Sequence, residues 1–185
     1  MTQLQIFGQA LKSRRRLSPF NQHYRTMPYH SKTNPLKVIL IAGLVAGTLD
    51  ITAASIQFYI NTGHGPEPVF RYIASAAFGK GKTGWEMVAW GILFHYLIAT
   101  LFAAFFVFLY WQWKWLSKNI IVAGLLYGLF AWVIMNRVVV PLSRIPDIPF
   151  NWKKAIIAAL ILMFMIGLPI ALITKKYYPS PKPAA

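Results

Sequence analysis

Apolar positions in this chain neither alternate nor keep a helical period. They gather into four long runs separated by short polar segments rich in Gly and Pro. The runs are Leu36–Ile60, Trp85–Tyr110, Asn119–Leu142 and Lys153–Thr174. Each exceeds the roughly 20 residues a helix needs to cross a hydrocarbon core. A helix that is apolar on all sides has no face for water, so the pattern predicts membrane spans. Aromatic residues mark the ends: Trp85, "YWQWKW" at 110–115, Phe150, Trp152, and Tyr177 with Tyr178. Their amphipathic rings suit the headgroup level. The predicted fold is all-α, an integral membrane four-helix bundle. Residues 1–35 are a basic tail, 36–178 the transmembrane domain, and 179–185 a C-terminal tail.

Composition supports this class. Hydrophobic residues make up 57% and charged residues 12%, about half the charge that coats a soluble domain. There is no cysteine, which excludes disulfides, thiolate metal sites and Cys nucleophiles. Nineteen Lys and Arg stand against four acids. Four spans put both termini on one side. That side collects twelve cations, between residues 12 and 37, at 114 and 118, and at 175, 176 and 182; the other seven fall on the opposite side. The bias predicts both termini inside. The net charge of +15 is therefore a topology signal, and nucleic acid is not an expected partner.

The expected partners are the bilayer itself and anionic headgroups under the tail. "LQIFGQALKSRRR" spaces Leu4, Phe7 and Leu11 as a surface helix would, ahead of an Arg run. A tail that only sets topology fits equally. No apolar h-region precedes a small-residue cleavage site, so it is not a secretory signal. The expected location is a bacterial inner membrane, multi-pass. An Arg-rich, acid-free start leaves the mitochondrial inner membrane as the alternative.

The first run, "LIAGLVAGTLDITAASIQFYI", carries Asp50 near its middle. At 1.5 Å per residue Asp50 lies about 15 Å below the outer end of its helix, and His95 lies about 15 Å below the outer end of the next. Gly43, Gly47, Asp50, Ala54, Gln57 and Asn61 form one small or polar stripe. Gly91, His95, Ala99 and Ala103 form another. Small residues let helices approach, and polar groups turn from lipid toward the bundle. A lone carboxylate there costs about 2.5–3.5 kcal/mol. Asp50 is therefore expected to contact His95 or Arg137, directly or through one water. Arg137 sits beside Asn136, about 7–8 Å below the outer end of the third helix. The candidate polar site is Asp50, His95, Asn136, Arg137 and Gln57. The plain reading is a contact that fixes helix register; the functional one is a relay for protons or ions. The four histidines show no metal-ligand spacing, His95 alone lies in a span, and no metal or cofactor is expected.

The first outer loop predicts a short helix over Val69–Phe78, stopped by Gly79. It is too short to span, so it lies at the interface or re-enters, as a brace or as a lid over Asp50 and His95. The second, "PLSRIPDIPFNWKK", predicts an extended connection. "AGLVAG" at 42–47 aligns with "AGLLYG" at 123–128 as a weak repeat, with Asp50 matched by Ala131. Gly43-x-x-x-Gly47 and Gly124-x-x-x-Gly128 predict close helix contacts. Pro169 predicts a kink near the inner end of the fourth helix.

At "AGLVAGTLDITAASIQFYINTG", "RYIASAAFGK" and "WGILFHYLIA" the chain resembles a family of small four-helix bacterial inner-membrane proteins of the Bacteroidetes type. The likeness covers about Leu36 to Tyr178. The Gly-rich first helix is also similar to YagU-like membrane proteins. Neither family carries an assigned activity, so the resemblance implies topology and location only. Three classes follow: an accessory or structural membrane protein, a complex subunit or homo-oligomer; a small proton, ion or solute carrier using Asp50 and His95; and a membrane enzyme. With no nucleophile beside a base, no HExxH and no phosphate-binding Gly loop, the expectation is not an enzyme.

Overall fold

The computed structural model describes residues 33–79, 81, 83–144 and 151–179. The tail helix expected before residue 33 lies outside them, and so does most of the second outer loop. The described residues contain helices and no strand. α1 runs Pro35–Thr62, α2 Glu67–Phe78, α3 Trp85–Gln112, α4 Lys114–Lys118, α5 Ile120–Leu142 and α6 Trp152–Tyr177. Of these, α1, α3, α5 and α6 are long and apolar enough to cross a membrane.

Local chemistry sets the ends. The Asn34 side chain accepts from Leu36 N–H at 2.9 Å and caps α1. Gly63 closes α1 in the left-handed region at φ 71°, which a residue with a Cβ adopts only under strain. α2 begins two residues earlier than its pattern, at Glu67. There the acid suits the helix N-terminus and reaches Arg71 at 3.1 Å. α6 extends past Thr174 because Lys175 and Lys176 suit its C-terminal dipole.

Two segments widen into π-helix, Met135–Val139 in α5 and Leu162–Gly167 in α6. Each ends two residues before a proline, Pro141 and Pro169. Proline donates no hydrogen bond, and its ring crowds the carbonyl four residues back. A wider turn relieves the crowding: Val140 N–H bonds Met135 O, and Leu168 N–H bonds Met163 O. The irregularity expected at Pro169 takes this form.

The spans pair through the two small-residue motifs. Gly43 and Gly47 of α1 meet Thr100, Ala99 and Tyr96 of α3. Gly124 and Gly128 of α5 meet Leu162, Met163, Gly167 and Leu168 of α6. Each copy of the sequence repeat thus seats one helix on the span that follows it. Tyr127 joins α5 to α3, donating to the Phe102 carbonyl at 2.6 Å and packing edge-on against Phe106 at 4.9 Å.

The core fills only one half of this bundle. Val38, Ala42 and Ala46 pack with Phe106, Tyr110, Tyr127, Ile166 and Ile170. All lie toward the end that carries Pro35, α4 and Tyr178, termed here the proximal end. Toward the distal end the spans bury little. No residue is buried in α1 beyond Ile51, in α5 beyond Ala131, or in α6 before Ile166. α3 differs because α2 covers it. Gly91 faces the Phe70 backbone, Phe78 contacts Trp90 and Phe94 at 5.5 and 5.9 Å, and Ala74 and Ser75 are buried. Arg144 N–H bonds the Ala76 carbonyl at 3.0 Å, tying the start of the second loop to α2.

Candidate functional site

Each residue turns a helix by about 100°. Asp50 follows Ala46, which faces the core, by four residues, and Gly47, which faces α3, by three. Its side chain therefore points inward, between those two directions. Asp50 lies about 18 Å from the distal end of α1, and His95 about 15 Å from that of α3. In the antiparallel neighbour α6, Ile166 and Ile170 share the core with Ala42 and Ala46. Continuing that register brings Leu162 opposite Asp50, and Ala158 and Ala159 opposite Ala54. Asp50 thus stands where the buried core ends.

His95 is buried, and its Nε2 lies 2.8 Å from the Gly47 carbonyl. A carbonyl only accepts, so Nε2 carries the proton. A helical carbonyl has a second lone pair for such a bond, and glycine leaves room for the ring. This is the polar tie across the α1–α3 seam. Among the described residues Asp50 and His95 share no direct hydrogen bond; His95 Nε2 donates to the backbone one turn earlier. The two groups remain in electrostatic range. Among the described residues the half-buried Asp50 carboxylate has no hydrogen bond or ion pair.

The other expected site residues spread out. Gln57 is half-buried, seven residues beyond Asp50 and on the same face. Asn136 is exposed and bonds the Trp132 carbonyl at 2.9 Å. Arg137 is exposed in the π-helical segment of α5. Gly43 and Gly47 hold the α1–α3 seam, and Gly124 and Gly128 the α5–α6 seam. Gly91 belongs instead to the bed of α2.

Sequence reasoning missed a hydroxyl chain beside the seam. Thr48 Oγ1 donates to Leu44 O at 2.8 Å, which uses its proton, so Tyr96 OH donates to Thr48 Oγ1 at 2.9 Å. The available signal was a tyrosine next to His95 and threonines at 48 and 52, flanking Asp50. Among the described residues no group of three His, Cys, Asp or Glu could hold a metal ion.

Comparison with family models, curated proteins and solved structures gave no match to this chain. The functional reading therefore rests on the site. A carboxylate without a hydrogen-bond partner beside an imidazole of fixed orientation can bind a proton or a cation.

Proposed function

We propose that this protein is a small carrier that binds a proton or cation at Asp50, with His95 as its fixed neighbour. The observation that carries the reading is the half-buried Asp50 carboxylate, without a hydrogen bond or ion pair at the distal edge of the buried core. A carboxylate kept only for packing gains stability by being paired, since an isolated one is costly at that depth. Ionisable groups inside spans commonly mark pathways. In this reading the chain sits in a bacterial inner membrane with both termini inside, and α2 lies at the outer interface. The family resemblance and the Lys and Arg bias support that topology.

Flux into liposomes tests it. Asp50→Asn keeps the shape and cannot release a proton or carry charge. The expected result is an intact fold with flux abolished; unchanged flux in Asp50→Asn refutes the carrier.

The second reading is an accessory or structural membrane subunit, in which Asp50 serves register alone. Its support is the His95–Gly47 bond and the two glycine seams, which are contacts of packing. Under it Asp50→Asn is silent in every assay and Asp50→Ala lowers stability.

A further inference from the structure

We propose that the proximal end of the bundle is a binding surface for the headgroup of an anionic phospholipid, formed by α4 and the last turn of α6. It is separate from the basic tail and does not depend on how Asp50 is used.

The geometry starts with α4. This five-residue helix joins α3 to α5. Leu116 is buried in the core with Ile120 and Tyr178, which fixes the segment against the bundle. Trp113 and Trp115, on either side of Lys114, stay exposed. Tyr178, just past α6, meets the end of α3 twice. Tyr110 OH donates to the Tyr178 carbonyl at 2.7 Å, and the Trp111 ring meets the Tyr178 ring edge-on at 5.6 Å. These contacts bring Lys175 and Lys176 to the same end of the bundle as Lys114 and Lys118.

Charge selects the partner. Lys114, Lys118 and Lys176 are exposed, and Lys175 is half-buried. Among the described residues none of the four has an ion pair, and no acid lies at this end. Asp50 is within α1, Glu67 opens α2, and Glu86 is in the first turn of α3 at the distal end. Each ammonium carries three donors and no acceptor. Four of them without a counter-ion attract phosphate oxygens, and such bonds are the strong, charge-assisted kind.

The aromatic residues decide where the phosphate comes from. Trp111, Trp113 and Trp115 are exposed among the lysines, and indole rings favour the boundary between headgroup and acyl chain. Leu172, one turn before Lys176, is exposed on the side of α6. A phosphate that carries acyl chains gains from both the charge and the apolar surface beneath it. A free phosphate meets only the charge.

The test uses the full chain in neutral detergent, with phosphatidylglycerol as the probe and phosphatidylcholine of the same acyl chains as the zwitterionic control. Native mass spectrometry measures the affinity for each. One lysine near an anionic surface contributes roughly a fivefold preference. Four sharing one headgroup are expected to favour phosphatidylglycerol at least tenfold. Replacing Lys114, Lys118, Lys175 and Lys176 together by Gln should bring the two lipids within about twofold of each other. Arg14→Gln with Arg15→Gln and Arg16→Gln, in the tail, should leave the preference in place. If the fourfold variant aggregates, the two pairs are replaced separately, and each should lower the preference at least threefold. The inference is overturned by equal affinity for the two lipids, or by a preference that survives the Lys replacements. Loss of the preference in the tail variant alone also overturns it, as does displacement of the lipid by millimolar inorganic phosphate, which would make this a site for the free anion.

Discussion

Gly167→Ala is the sharpest probe of how this bundle is held. A Cβ at Gly167 would fall against the Gly124 carbonyl, 2.5 Å from Gly128 N and 2.7 Å from Gly128 Cα. Carbon contacts settle near 3.5–4.0 Å, so α5 and α6 must separate by about 1 Å. All three atoms are backbone, and no rotamer change relieves them. Opening a seam by that much forfeits up to about half of each contact along it, and overpacking of this kind costs about 1–3 kcal/mol. Gly47→Ala is the matched control. Its Cβ would lie 3.1 Å from Ala99 Cβ and Tyr96 Cδ1, side-chain atoms that need move only by tenths of an ångström. The expected cost is below about 1 kcal/mol. Both variants gain the same intrinsic helix preference of alanine over glycine, about 0.5–1 kcal/mol, so it cancels from the comparison. Unfolding by dodecyl sulfate titration in mixed micelles measures both. The reasoning fails if Gly47→Ala shifts the midpoint as far as Gly167→Ala.

Four further outcomes follow. His95→Phe keeps ring volume and removes the bond to Gly47, so it should cost about 0.6–1.7 kcal/mol in the same titration; a neutral result means the bond does not hold the seam. Gly91→Ala should lift α2 off α3. Because the chain has no cysteine, Ala74→Cys reports this by faster maleimide labelling, and equal rates with and without Gly91→Ala reject the α2 packing. Gly47→Leu should disrupt the α1–α3 seam while Ile56→Leu, on an exposed position, stays silent; equal losses of detergent stability mean that α1 is wrongly oriented. Reporter fusions at Ala185 and Gly81 should give cytoplasmic and periplasmic signals in turn, and a periplasmic signal at Ala185 sinks the inside assignment.

The sequence by itself determined the membrane class, the spans to within three residues, and which small residues lie at helix seams. Those follow from length, apolarity and turn chemistry, which act locally and leave marks residue by residue. The Gly79 stop and the Pro169 irregularity are of the same kind. The tertiary structure alone decided the partners. Gly91 repeats in register with His95 and Ala99, yet it beds α2, because a helix offers neighbours on several sides and periodicity does not name them. His95 was legible as an inward polar group. Its donation to the Gly47 carbonyl was not, because backbone acceptors are present at every position and carry no sequence signal. The loss of burial beyond Ile51 was also illegible. Ala54, Ala158 and Ala159 look like packing residues in a list, yet they are only half-buried, because how far small side chains are covered depends on how the whole bundle crosses.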